Sequence, residues 1–177
     1  MSSWLRSVGL AFNIRKGRPL AHFRDVNRDD LEAVCNLAVA PEQAGLVTPN
    51  VMTMAEAQFE PGAVVRALWR ETEPVGLLAM MRPSAYPEDE DIVIRRNLAY
   101  IWRLMIGAEF QGQGYGACAL NEAKRIAKAW NYPGVSLTVA DKPNSALPFY
   151  GRFGFVPTGR RLWGDSNELE MIWMFSD

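Results

Sequence analysis

Apolar positions along the chain alternate between the two periods of strand and helix, and the changes of period mark its elements. His22 to Val26 reads as a first strand. Asn27 is a good N-cap for a helix predicted over Arg28–Val39, with Leu31, Val34, Cys35 and Ala38 on one face and Pro41 beyond its end. A second helix is expected over Thr53–Phe59, stopped by Glu60-Pro61-Gly62. Val64–Trp69 and Val75–Met81 are apolar runs around a polar turn, Glu71-Thr72-Glu73-Pro74, which predicts a hairpin. Pro83–Asn97 reads as a loop with an acidic cluster, Glu88 to Asp91, and Ala99–Ile106 as a strand. A longer helix begins near Gly114, with Leu120, Ala123, Ala127 and Trp130 on one face and Glu122 and Arg125 pointing elsewhere. Val135–Val139 is a strand, Asn144 caps a short helix reaching Phe153, and Gly154 ends it. Phe155–Trp163 and Glu168–Phe175 close the chain as an antiparallel pair around Gly164-Asp165. This order predicts an α/β (α+β) fold: a mixed, mostly antiparallel twisted sheet of about six or seven strands, about four helices, and one parallel crossover.

Length and composition narrow the class. The 177 residues suit one domain, taken as residues 20–177, with residues 1–19 as an N-terminal extension rather than a signal peptide. The net charge of -1 offers nothing to nucleic acid, and no apolar run approaches the ~18 residues of a membrane span. Cys35 and Cys118 lie far apart and His22 is the single histidine, so no metal site is expected and a reducing cytoplasm is the default.

The most informative segment runs from Leu104 to Ala117. A strand ends, a loop follows, and Gly112, Gly114 and Gly116 open an amphipathic helix. Backbone N–H groups at a helix start lack internal partners, and glycines let an anion approach them, so the turn suits a pyrophosphate. Gly112-x-Gly114-x-x-Ala117, with Asp141 after the next strand, also satisfies a relaxed dinucleotide fingerprint. Gly107 to Gln111 intervene between strand and glycines, however, and too little chain follows to complete a doubly wound sheet. A Walker loop is excluded, because no Gly-Lys-Ser/Thr follows.

Gln111-x-x-Gly114-x-Gly116 resembles the Gln/Arg-x-x-Gly-x-Gly/Ala signature of the GNAT acetyltransferases. Asn144-x-x-x-x-Phe149-Tyr150-x-x-Phe153-Gly154-Phe155 resembles that family's Asn...Tyr...Gly-Phe segment. The resemblance implies acetyl-CoA as co-substrate. It implies that Leu104, Met105 and Ile106 hold the pantetheine arm through their backbone. It assigns the pyrophosphate to Gln111, Gly112, Gln113, Gly114, Tyr115, Gly116 and Ala117, and a further coenzyme contact to Asn144. It also implies that Tyr150 protonates the departing thiolate, although an aromatic cluster with Phe149, Phe153 and Phe155 is the simpler reading of the residues alone. The thioester carbonyl would be held by the N–H of Met105 or Ile106, where this strand parts from the next, and Gly107 is compatible with such an irregularity.

The general base stays open among Glu42, Glu56 and Glu168, and Cys118 is read as a small buried residue. Pro41-Glu42-Gln43, Asn50, Met54-Ala55-Glu56-Ala57, Pro74-Val75-Gly76 and Ile101-Trp102-Arg103-Leu104-Met105-Ile106 resemble a bacterial polyamine (spermine/spermidine, diamine) N-acetyltransferase subgroup. A polyamine site needs carboxylates for its cationic nitrogens and an apolar or aromatic channel for its methylenes, and Glu42, Glu56, Glu60 and Glu168, with Trp102, supply those types as candidate acceptor-binding residues. The acidic residues of loop 84–97 are candidates for steering a cation. Other small amines, amino sugars, antibiotics or a protein N-terminus remain alternative acceptors, and a non-catalytic acyl-CoA-binding module is the alternative of another class. Aromatic residues near the C-terminal strands would suit a homodimer.

Overall fold

A computed structural model describes residues 21–162 and 167–176. The N-terminal extension and the Gly164-Asp165 turn therefore lie outside the described residues. The elements are β1 (Ala21–Arg24), α1 (Leu31–Cys35), α2 (Asn50–Glu56), β2 (Val64–Arg70), β3 (Glu73–Met81), β4 (Ala99–Ile106), α3 (Tyr115–Ala129), β5 (Gly134–Ala140), α4 (Leu147–Arg152), β6 (Val156–Leu162) and β7 (Glu168–Met174). Seven strands form one sheet in the order β1-β2-β3-β4-β5-β7-β6, and β4–β5 is its parallel pair. The predicted element order and mixed sheet are found as expected.

Three helix predictions need correction, the first being α2, which covers Asn50–Glu56 instead of Thr53–Phe59. Helix α1 has 5 residues instead of spanning Arg28–Val39. The Asn27 Oδ1 accepts N–H bonds from Asp29 and Asp30, so Asn27 caps the turn before the helix. The helix stops early where the Asn50 side chain donates to the Val34 carbonyl at 2.9 Å, the acceptor a longer helix would need. Asn144 does not cap α4. It adopts a left-handed conformation (φ 63°), and the Ser145 hydroxyl accepts the Leu147 N–H instead.

The main core lies between α3 and α4 and one face of the sheet. Leu120, Ala123 and Ala127 of α3 pack with Leu78, Ile101, Leu137 and Met171. The predicted apolar face of α3 is thus the buried one. Glu122, expected to point elsewhere, is also buried, because Arg66 of β2 and Arg125 pair with it at 3.1 and 2.7 Å. The loop 84–97 is pinned to the sheet. Arg95 makes a two-pronged bond to the buried Glu170 of β7 (3.0 and 2.8 Å), Arg160 donates to the Val93 carbonyl, and Tyr86 and Ile94 pack on Tyr100. No helix among the described residues is long and apolar enough to cross a membrane.

Candidate active site

The site originates in a failure of two strands to stay paired. β4 and β5 match only over Ala99–Ile101 and Val135–Leu137. Beyond this, Trp102–Ile106 and Thr138–Ala140 line opposite sides of a gap. The irregularity sits at Trp102 rather than Gly107. In the β3–β4 register Ala79 faces Arg103 and Met80 faces Ile101, so Trp102 is the extra residue of a bulge, which bends the strand away from its neighbour. Gly107 instead continues the pairing, its N–H donating to the Val75 carbonyl at 3.0 Å.

That bond also orients the strand amides. Successive N–H groups of a strand point to opposite sides. With Gly107 turned toward β3, Met105 is turned the same way, and the N–H groups of Leu104 and Ile106 face the gap. Of the two candidates for holding a carbonyl oxygen, Ile106 therefore has the right direction and Met105 does not.

The gap opens into a cleft of about 840 Å³. One end is closed by the glycine turn. Gly112 and Gly114 have φ of 73° and 93°, a region that favours glycine, and Gly114 stands at the N-terminus of α3 with no side-chain cap. The first N–H groups of α3 thus point out of the helix, with its positive dipole end behind them. Gly116 has a different role: a Cβ there would come within 2.8 Å of the Phe149 ring, so its smallness lets α4 pack against α3.

The structure sorts the other sequence candidates. Leu104, Met105, Ile106, Gln111, Gly112, Gly114, Gly116, Ala117, Asn144, Tyr150, Trp102 and Glu168 line the cleft. Gln113 and Tyr115 do not. The Gln113 side chain folds back to the Glu109 carbonyl at 2.6 Å, and the Tyr115 ring is buried beside Leu68, Val75 and Phe110. Glu42 and Glu56 are also absent from the lining. Glu56 forms an ion pair with Arg103 at 2.7 Å, so its charge is already compensated. Arg103 lies over the Trp102 ring, 4.3 Å from the centroid, and itself lines the cleft.

Tyr150 is both packed and exposed to the site. It lies in α4, edge-on to Phe149 and Phe155, and only 7% of it is accessible. Burial pushes its phenol well above the usual tyrosine range, with the nearby Tyr100 adding to the effect. The side chain is therefore neutral and protonated at physiological pH. Across the gap, the Tyr100 and Thr138 hydroxyls bond at 2.9 Å, joining β4 to β5 where they part. Gln43 and Arg103 also line the cleft, in two of the segments that carry the narrower resemblance; sequence reasoning missed the Tyr100–Thr138 pair. Nothing in the local sequence of these two signals it, because each gains its position from a distant strand.

A strand gap, N–H groups at a glycine-opened helix and a protonated phenol are a suitable receptor for a pantetheine thioester with its pyrophosphate. Comparison with known proteins decides the family: residues 31–155 match the acetyltransferase (GNAT) family. The chain belongs to that family. This GNAT chain is accordingly an N-acetyltransferase that uses acetyl-CoA as its acetyl donor. Among solved structures it is similar to an acetyltransferase from Thermus thermophilus (19% identity, 88% of this chain and 97% of that one, TM-score 0.65). It is also similar to the PaiA N-acetyltransferase of Thermoplasma acidophilum in complex with coenzyme A (17%, 88% and 99%, TM-score 0.62). A third is the ribosomal-protein-S18-alanine N-acetyltransferase of Escherichia coli (15%, 86% and 91%, TM-score 0.58). At these identities the likeness concerns the fold. No cluster of three or more potential metal ligands occurs among the described residues.

Proposed function

We propose that this GNAT enzyme acetylates a primary amine by direct transfer within the cleft, with Tyr150 as general acid. The observation that carries the reading is the combination of a buried, protonated phenol and a strand gap in one cavity. In this scheme the glycine turn and the start of α3 hold the pyrophosphate, and the N–H groups of Leu104 and Ile106 face the pantetheine arm and the thioester. The neutral amine nitrogen forms a bond to the carbonyl carbon, the carbon–sulfur bond breaks, the Tyr150 hydroxyl gives its proton to the departing sulfur, and the proton that nitrogen then loses passes to solvent, from which the Tyr150 phenolate is reprotonated.

The acceptor we favour is a polyamine such as spermine or spermidine. Glu168 supports it, being the one carboxylate of the cleft wall among the described residues, and Trp102 offers an apolar surface for methylenes. Glu56, paired with Arg103, gives this reading no further support. A protein N-terminus is the second reading. It is favoured by Arg103, whose charge is compensated by Glu56 but whose guanidinium has five N–H donors, more than that pair uses, which suits a carbonyl-rich acceptor.

The deciding experiment is thiol release from acetyl-CoA with spermidine, spermine, a monoamine of similar length and short peptides. Faster turnover of polyamines than of the monoamine is expected. Inert polyamines with active peptides would establish the second reading.

A further inference from the structure

The cleft has a wall that belongs to neither the strand gap nor the glycine turn. Val39, Gln43, Leu46, Val47 and Thr48, from the connection between α1 and α2, form it on the acceptor side. This connection is tied to the glycine turn at two points. The Ala108 N–H donates to the Ala38 carbonyl at 2.9 Å, and the Gln111 Nε2 donates to the Gln43 Oε1 at 2.8 Å.

The second tie is directional. The Gln111 Nε2 carries two hydrogens, and the other one goes to the Ile106 carbonyl at 3.1 Å. A carbonyl can only accept, so the orientation of the Gln111 amide is set, and Gln43 must present its oxygen. Gln111 thus spans three parts of the cleft: the end of β4, the glycine turn and the acceptor wall. Gln43 itself sits on a short 3-10 turn, Pro41–Gln43, whose other ties are local: the Gln43 N–H donates to the Ala40 carbonyl and the Ala44 N–H to Pro41.

We infer that Gln43 is a positioning residue that couples coenzyme binding at the glycine turn to the ordering of the acceptor wall, residues 38–48. The inference rests on the acetyl-CoA reading of the turn. When the turn closes on a pyrophosphate, the Gln111 side chain is fixed by its backbone and by Ile106, and its second hydrogen holds Gln43 and the wall in register. By linkage the reverse also holds: a wall held by Gln43 favours the binding conformation of the turn. One net hydrogen bond of ordinary strength corresponds to a coupling of about 2- to 12-fold.

The test uses the full chain and coenzyme A as the probe. Hydrogen exchange is followed in peptides covering residues 38–48 and 107–117, and affinity is measured by calorimetry. In the wild type, coenzyme A should slow exchange in both segments. Gln43→Met, which keeps the length and removes the acceptor, should retain slowing at 107–117, lose most of it at 38–48, and bind about 2- to 12-fold more weakly. Gln43→Glu, which keeps an acceptor oxygen for Gln111, should restore both. Each comparison is made with and without ligand in the same variant, so a general loss of stability does not imitate the result. Equal slowing of 38–48 in the wild type and Gln43→Met would overturn the coupling, as would slowing confined to 107–117 in the wild type. No effect of coenzyme A on either segment would overturn the reading of the turn and the coupling with it.

Discussion

At Tyr150 the packing role and the proposed chemical role coincide. The ring is held by Phe149 and Phe155, and the same burial that makes it a core residue keeps its hydroxyl protonated. Tyr150→Phe preserves the ring and removes only the donor. Turnover is expected to fall by about 10²- to 10⁴-fold with nearly unchanged coenzyme A affinity, checked by steady-state kinetics and calorimetry. Since the phenol titrates above its usual range, wild-type kcat should show no loss assignable to this group on raising the pH from 6 to about 10. At Gly114 the argument is backbone geometry. With φ at 93°, a β-branched side chain is strained by about 1–2 kcal/mol and stands at the helix end. Gly114→Val should therefore abolish coenzyme binding measurable by calorimetry while the sheet still forms, as read by circular dichroism. Unchanged affinity would remove the turn from the site. The glycines were legible from the chain because they belong to a local spacing, whereas Tyr150 was singled out only by the family resemblance.

Among the elements, the bulge at Trp102 and the anchoring of loop 84–97 matter most. The bulge breaks the β4–β5 pairing and so creates the cleft, yet Ala99–Ile106 reads as an ordinary strand, because a bulge is set by register against β3. From the sequence the acidic loop is a candidate for steering a cation, which calls for exposed carboxylates. Its exposed Glu88 to Asp91 fit that description, but Arg95 and Ile94 are fastened to the sheet. Glu170 is the anchor. Burial alone would raise its carboxyl, but hydrogen bonds from Arg95 and Thr158 and the charges of Arg95 and Arg160 hold it below the usual glutamate range. A carboxylate lowered on folding stabilises fully above its unfolded value, roughly pH 4.3, and that share is lost as the pH falls through the lowered folded value. Glu170→Gln should therefore cost about 3 kcal/mol at pH 7 by denaturant titration, near the lower figure for a broken buried pair because the arginines are partly exposed. The difference from wild type should shrink below about pH 4. A constant difference across this range would assign the loss to packing instead of charge.

For the molecule as a whole, the open question is the acceptor. If Glu168 holds a distal ammonium, the polyamine kcat/KM should fall as salt rises, because a partly exposed pair is screened over a Debye length of about 8 Å at physiological ionic strength. Glu168→Gln should raise the polyamine KM and leave that of a neutral-tailed amine nearly unchanged; equal effects on both would exclude an anchoring role. The expected homodimer gains no support from the aromatics that suggested it. Trp173 and Phe175 are half-buried, stacked edge-on at 4.8 Å with Lys124 over Trp173, while the exposed apolar residues of β6 and β7 are Val156 and Met174.

The role proposed for Tyr150 comes from the family resemblance; by itself the sequence determined the element order, the mixed sheet and the glycine turn. These follow from periodicity, backbone freedom and short-range spacing, all of which operate within about a dozen residues. Only the tertiary structure decided which strand amides face the gap, which glutamates reach the cleft and how the acceptor wall is tied to the turn. Glu56 was a plausible anchor until Arg103, 47 positions later in the chain, was seen to neutralise it. Gln43 acquired its place from Gln111, 68 residues away. Charge compensation and hydrogen-bond direction depend on distance in space, and the chain fixes that distance only once the sheet has brought its strands together.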